Sequence, residues 1–172
     1  MRYTPQIIYT FVATNIVDTK MNIEQSIKNS IPLSSEARTT VNILYTSRFV
    51  EEQSAPLYKE YGITAAHFNI LRILRGQKGA PANLSTIQER MIDRNSNTTR
   101  LIDKLLKKNW VTRRVCPSNR RKIEVNITAL GLEKLLEIDQ GVEQTLTRIL
   151  ANLTDKEMGQ LNTLLDKVRA DY

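Results

Sequence analysis

LSTIQERMIDRNSNTTRLIDKLLKKNWVTRRVCPSNRRKIEVNIT, residues 84–128, is the stretch whose reading decides the fold. Its start predicts a short helix closed by Met91 and Ile92, in which Ser85 is placed to cap free N–H groups and Glu89 to complete a capping box. After the polar connector Asp93-Arg94-Asn95, either Asn95 or Ser96 can cap a second helix. There Leu101, Ile102, Leu105 and Leu106 recur at helical spacing and require a core to face, while Asn97, Thr98, Arg100, Lys104 and Lys107 take the opposite side. Asn109 stands where the helix must end in a left-handed residue, a conformation Asn tolerates best after Gly. Residues 111–115 and 123–127 then alternate apolar and polar with period two. They predict an antiparallel pair joined by a turn over 116–122 that carries three consecutive cations, Arg120, Arg121 and Lys122.

Two short helices followed by a β-hairpin form the pattern of a winged helix-turn-helix, and the charge falls where such a unit would use it. The stretch holds eleven Lys or Arg against four Asp or Glu, an excess of seven. The whole chain, with 25 against 18, carries the same +7, so the remaining 14 cations and 14 anions cancel. A basic block coinciding with this pattern is the electrostatic footprint of a protein that binds a DNA duplex.

The 172 residues suffice for one domain with a sizeable core plus an oligomerisation element, and 41% hydrophobic with 25% charged residues fits a soluble, mostly helical protein. A single cysteine excludes an internal disulfide framework, and a single histidine argues against a histidine-based metal site. Neither a phosphate-cradling Gly-rich loop, a nucleophile elbow nor a His/Cys/Asp cluster is present, so neither an enzyme nor a cofactor is expected. The apolar run 7–17 is interrupted by Thr10, Thr14 and Asn15 and is too short to span a bilayer, which favours the cytoplasm and no membrane partner.

Along the chain, residues 1–33 read as an N-terminal extension. They are either an arm that packs on a partner subunit or, in their first twenty residues, no part of the working protein, with Met21 as a second possible start; 22–31 predicts a short helix with Ile23 and Ile27 on one face. Ser34 or Ser35 caps a helix over 34–61, which Pro56 should bend or end unless Leu57, Tyr58 and Tyr61 continue its apolar side past it, and Gly62 is a stop signal. Thr64 caps a helix with Phe68, Ile70, Leu71 and Leu74 on its apolar face, and 76–83 reads as a loop. Thr128 caps a long helix whose middle Gly141 should loosen, and Thr154-Asp155-Lys156-Glu157 is a capping box that opens the last helix. These final helices are apolar over more than one small domain needs, and a second copy is the economical cover. The expected fold is mainly α with a small β-wing: a winged helix-turn-helix over 62–128, a first dimerisation helix over 34–61, and C-terminal dimerisation helices over 129–172.

Over about residues 35–170 the chain resembles the MarR family of bacterial winged-helix transcription regulators. Four places carry the likeness: Gly62-Ile63-Thr64; Ser96-Asn97-Thr98-Thr99-Arg100-Leu101-Ile102-Asp103-Lys104-Leu105; Lys107-Lys108-Asn109-Trp110-Val111; and Arg121, seven residues before Thr128, with Val125, Ile127 and Gly131 in step. The resemblance implies a homodimeric transcription regulator, more a repressor than an activator, joined through its first and last helices. Each copy would place the helix from Ser96 to Lys108 in a major groove, with half-sites of a pseudo-palindromic operator about one helical turn, roughly 34 Å, apart. Ser96, Asn97, Thr99 and Arg100 would then lie near base edges and phosphates, Thr98 and Lys104 on the same polar side, and Arg121, flanked by Arg120 and Lys122, in the adjacent minor groove. The family commonly has aspartate where this chain has Asn119, so an ion pair orienting Arg121 is replaced at best by a neutral hydrogen bond.

Relatives of this kind often hold a small phenolic or anionic effector between the dimerisation helices and the DNA-binding lobe. Tyr45, Arg48, Tyr58, His67 and Arg72 are the candidates for such a cleft, although the same residues equally suit packing plus a salt bridge. For His67 the structural, hydrogen-bonded role is favoured. Trp110 reads as core, closing the gap between helix and wing. Arg113 and Arg114 point to opposite faces of a strand, so at most one reaches phosphate and the other pairs with an acid. Cys116 has cationic neighbours, but oxidant-sensing relatives carry their cysteine in the first helical region, which has none here. The competing function is a winged-helix protein-interaction module without specific DNA binding, which would tolerate Arg121→Ala.

Overall fold

A computed structural model describes residues 22–117 and 119–170. The expectations for residues 1–21, the arm or second start and the apolar run 7–17, lie outside them. Two compact units are distinguished, one ending at Ser47 and one beginning at Arg48.

The first unit contains helix α1 (Ile23–Ser26) and the start of helix α2 (Ser35–Glu60). Asn22 and Gln25 close a capping box over α1, and the buried Ile23 is its apolar anchor. Ser34 caps α2, its Oγ accepting from the Ala37 amide at 3.2 Å. In the second unit α2 runs through Pro56 to Glu60, so of the two alternatives the helix continues past the proline in spite of its missing N–H. Ser54 and Tyr58 are buried on either side of it, and their packing outweighs the local penalty. Gly62 then turns the chain at φ +65°, the left-handed region where glycine carries no Cβ penalty.

The rest of the second unit is built around helix α3 (Ala65–Gly76), followed by strand β1 (Ala82–Asn83), helix α4 (Leu84–Arg90) and helix α5 (Thr98–Lys107). Strand β2 (Val111–Cys116), strand β3 (Asn119–Ile127), helix α6 (Ala129–Ile149) and helix α7 (Asp155–Val168) complete it. Ile70 and Leu71 of α3 pack with Ile87 of α4, Ile102 and Leu105 of α5, Val125 of β3, and Leu135 and Ile138 of α6 in one core, all with no exposed surface. Burying each large aliphatic side chain contributes about 1.5–3 kcal/mol, which is what holds the short helices α4 and α5 in place. Among the described residues no helix is long and apolar enough to cross a membrane.

Several local expectations are corrected. The segment expected as a loop over 76–83 contains β1, which pairs antiparallel with β3 (Ala82 with Val125, Asn83 with Glu124) and makes the sheet three-stranded in the order β1-β3-β2. Two residues are too few to show a period, so only the tertiary pairing reveals this strand. Asn83, not Ser85, caps α4, its Oδ1 accepting from the Thr86 amide at 2.8 Å while Ser85 donates to the same oxygen at 2.6 Å. Asn97, rather than Asn95 or Ser96, caps α5 by accepting from the Arg100 amide at 3.0 Å. Helix α6 is continuous through Gly141; a Cβ there would lie 2.6 Å from Leu57 Cδ1, so the missing side chain is what lets Leu57 approach.

The joint between α5, the sheet and α6 is tightly specified. Asn109 adopts φ 59° and ends α5 as expected. The Thr128 amide donates to Trp110 O at 3.0 Å, and its hydroxyl donates to Asn109 O at 2.8 Å while accepting from the Gly131 amide at 2.9 Å. One residue thus caps α6 and fastens it to the end of α5. The Thr154 and Glu157 capping box is also present, with Thr154 N–H donating to Glu157 Oε2 at 2.8 Å, yet α7 buries none of its residues.

Candidate nucleic-acid interface

Helix α5 sorts its side chains by solubility. Ile102 and Leu105 are buried, and Thr99, Arg100, Lys104 and Lys107 are exposed on its other side. The residues just before them have other tasks. Ser96 is half-buried and its hydroxyl donates to Asp93 Oδ2 at 2.7 Å; Asn97 is committed to the helix cap. Thr98, expected on the polar face, is buried, and its hydroxyl donates to Gln88 Oε1 of α4. It holds α4 to α5 and does not face outward, a correction that follows from its place in the first turn, where helical spacing alone does not fix the face.

The hairpin differs from the expected one in where its cations sit. Val115 pairs with Ile123 and Cys116 with Asn119, so Arg120, Arg121 and Lys122 are three residues of β3 inserted between consecutive pairs with nothing opposite them. They belong to the strand, not to the turn, and all three are exposed. Such an insertion bends the strand and pushes its side chains away from the ladder. Asn119 Oδ1 accepts from the backbone amide of Arg121 at 3.1 Å, so it shapes the bulge and does not hold the guanidinium.

The ion pairs decide which cations remain available. Arg113 pairs with Asp103 at 2.8 Å, bracing β2 on α5, and Arg114 pairs with Glu124 at 2.8 Å across the hairpin. Both arginines are therefore paired, which agrees with the expectation that at most one reaches phosphate. Lys108 lies 5.0 Å from the centre of the Trp110 ring, and Trp110 is buried as expected. Of the eleven cations between 84 and 128, three are thus engaged. Eight are left with neither an ion pair nor a ring contact among the described residues: Arg90, Arg94, Arg100, Lys104, Lys107, Arg120, Arg121 and Lys122. Arg90 and Arg94 contribute to the charge excess, but in the sequence their only signal is charge without a periodic face to place it. Cys116 is buried, and its hydrogen bond to Glu124, followed by that from Arg114, holds the Glu124 carboxyl below the usual range.

Of the effector candidates, Tyr45 is exposed in the unit that ends at Ser47. Arg48 pairs along its own helix with Glu51 and Glu52, at 3.2 and 3.1 Å. Tyr58 is buried with its ring centre 5.3 Å from that of Phe68; burial raises its hydroxyl pKa. His67 is buried too, its Nδ1 accepting from the Thr64 amide at 3.2 Å and lying 2.7 Å from the Thr64 hydroxyl, so it serves as a capping group. Arg72 alone, its guanidinium 5.7 Å from the centre of the Phe68 ring, lines a cleft. That cleft, about 660 Å³ between α3, α6 and α7, also exposes Arg75, Asp139, Val142, Leu146 and Met158, and Arg75 and Asp139 form an ion pair across it.

His67 has a measurable consequence. Burial, and then the charges of Lys104 and Lys108, lower its pKa to about 4. Because the unfolded chain binds the proton near 6.5 and the folded one does not, the stabilisation is complete above that pH and is lost as pH falls towards 4. We expect up to about 3 kcal/mol of acid-sensitive stability over this window in denaturant titrations. Glutamine can occupy the same place in a capping box without titrating, so His67→Gln should flatten the profile there. An unchanged profile would show that carboxylates elsewhere govern it.

The sequence pattern of the MarR family matches residues 63–123. The chain is 28% identical over 133 residues to the HTH-type transcriptional repressor MdtR of Bacillus subtilis (strain 168), covering 77% of this chain and 83% of that protein. It is 33% identical over 123 residues to the multiple antibiotic resistance protein MarR of Escherichia coli (strain K12), covering 70% of this chain and 81% of that one. A crystal structure of a mutant E. coli MarR complexed with operator DNA superposes with a TM-score of 0.65 at 26% identity, over 73% of this chain and 89% of that chain. The chain therefore matches these regulators in sequence as well as in shape, and it belongs to the MarR family of transcription regulators.

Proposed function

We propose that this protein is a homodimeric, sequence-specific repressor that binds a pseudo-palindromic operator in double-stranded DNA in a bacterial cytoplasm. The observation that carries the reading is the set of eight cations with neither an acidic partner nor a ring contact among the described residues, distributed over α4, the turn, α5 and the bulge of β3. Unneutralised charge on a helix-turn-helix and its wing is what phosphate contact requires, and the operator complex of the E. coli relative supports the same use here. Residues 62–128 read the duplex, while 34–61 and 129–172 join the copies. Leu136 of α6 and Leu164 and Val168 of α7 are each more than half exposed, and a second copy is the partner that would cover them. The cleft beside Arg72 and Arg75 suits a small phenolic or anionic effector, which would act by favouring a dimer geometry that no longer fits the operator.

The test is a mobility-shift titration with the protein's own promoter region at two salt concentrations, with size-exclusion chromatography of the same samples. Tight binding by a dimer, weakened in Arg100→Ala and Arg121→Ala, is expected. Equal affinity for every fragment, with both variants unaffected, would instead support a protein-interaction module.

A further inference from the structure

We propose that Gln88 is a positioning residue for sequence reading: its amide fixes the first turn of α5 so that Thr99 and Arg100, and not Ser96, Asn97 or Thr98, meet the base edges. The inference rests on the DNA-binding reading above and adds to it the means by which the reading helix is set.

Gln88 lies in α4, yet every polar atom of its side chain is directed at the turn leading into α5. Nε2 donates to Arg94 O and, at 3.3 Å, to Ser96 O, and Oε1 accepts from the buried Thr98 hydroxyl. Two further side chains hold the same turn. Asn69 of α3 accepts from the Ile92 amide at 2.9 Å, and Asp93 accepts from the Asn95 amide at 3.0 Å and from the Ser96 hydroxyl at 2.7 Å. A planar amide that bridges two carbonyls and a hydroxyl fixes orientation as well as distance, because its donors and acceptor cannot turn independently.

The side-chain oxygens of Ser96, Asn97 and Thr98 are each engaged within the protein: Ser96 Oγ with Asp93, Thr98 Oγ1 with Gln88, and Oδ1 of the exposed Asn97 with the Arg100 amide that it caps. Thr99 and Arg100, the next two residues, are exposed and make no side-chain hydrogen bond among the described residues. Arginine reads guanine through two parallel hydrogen bonds, a geometry that tolerates only small errors in the placement of its helix. Phosphate contact by the surrounding cations carries no such constraint. Removing the Gln88 amide should therefore lower discrimination between sequences and leave general affinity alone, whereas a merely structural role would lower both together.

The probe is the duplex that wild-type protein enriches from a random library of about 30 base pairs, compared with a scrambled duplex of the same composition, with circular dichroism recording the folded fraction of each sample. In Gln88→Leu and in Thr98→Val, the ratio of the two affinities should fall roughly tenfold or more, the scale of a misread base pair. Affinity for the scrambled duplex and its salt dependence should stay at wild-type values. Thr98→Ser, which keeps the hydroxyl, should restore the ratio, and enrichment repeated with Asn97→Ser, which keeps the cap, should return the wild-type consensus. A wild-type ratio in folded Gln88→Leu or Thr98→Val, equal losses on both duplexes, or a changed consensus with Asn97→Ser would overturn the inference while leaving DNA binding intact. Failure of wild-type protein to enrich any duplex would overturn both readings. Should Gln88→Leu not fold, the Thr98 pair decides alone.

Discussion

Alanine at position 131 should destabilise the protein by about 3 kcal/mol or more, a large part of the stability of an ordinary domain. Gly131 is buried in the first turn of α6, and a Cβ there would overlap the Trp110 carbonyl oxygen and lie 2.9 Å from Ile127 Cγ1. The obstruction is backbone, and that backbone cannot step aside: Trp110 O accepts from the Thr128 amide, and Asn109 O accepts from the Thr128 hydroxyl. Relieving the overlap means parting α6 from the end of α5, with loss of both bonds. Gly141→Ala is the natural comparison, since the atom in its way is the end of the flexible Leu57 side chain, and overpacking of that kind costs about 1 kcal/mol when a rotamer can change. Urea unfolding of the two variants beside wild type would measure the difference. A Gly131→Ala protein within about 0.5 kcal/mol of wild type would show that the joint is looser than its hydrogen bonds imply.

The same joint shows what the chain discloses as a string of letters. Asn109, Thr128 and the Thr154–Glu157 pair were legible because each acts on backbone within four residues of itself, and the core side of α5 was legible because Ile102 and Leu105 repeat a helical period. The misplaced features all needed a partner distant in sequence or a choice among equivalent neighbours. Asn83, Ser85, Asn95, Ser96 and Asn97 are all competent caps, and the core contacts of Ile87 and Ile102 select among them by setting where each helix begins. Strand β1 exists only because β3 lies beside it. Thr98 is buried because Gln88 reaches it. The candidate site divides in the same way. That the stretch is cationic could be counted, but that Arg113 and Arg114 are both neutralised, and that Arg90 and Arg94 are not, depends on which acids the fold brings near. Residue types alone do not show how the fold uses the effector candidates: Arg48 lies in ion pairs along its helix, Tyr58 in the core and His67 in a cap.

Removing the three cations of the β3 bulge together, as Arg120→Ala, Arg121→Ala and Lys122→Ala in one chain, should produce the largest loss of DNA affinity available without disturbing the core. The three side chains are exposed, form no ion pair among the described residues, and stand where the ladder has no opposing residue, so their truncation leaves the paired strands unchanged. Each phosphate neutralised releases about 0.9 of a condensed counterion, and at ~0.15 M salt three such contacts contribute roughly a hundredfold in affinity per protomer. The slope of log affinity against log salt should become shallower by about three for each bound protomer. The single variant Arg121→Ala separates charge from shape. If this arginine enters a narrow minor groove, its loss should cost more than that of Lys122 and should fall most heavily on duplexes with A·T runs beside the half-site. Equal, small effects from all three single substitutions would make the bulge a diffuse electrostatic surface. An unchanged slope in the triple variant would mean that the wing does not touch DNA, and discrimination would then fall to α5 alone. The unfolding midpoint of the triple variant should match wild type, because Asn119 still accepts from the amide of residue 121 and Glu124 still pairs with Arg114.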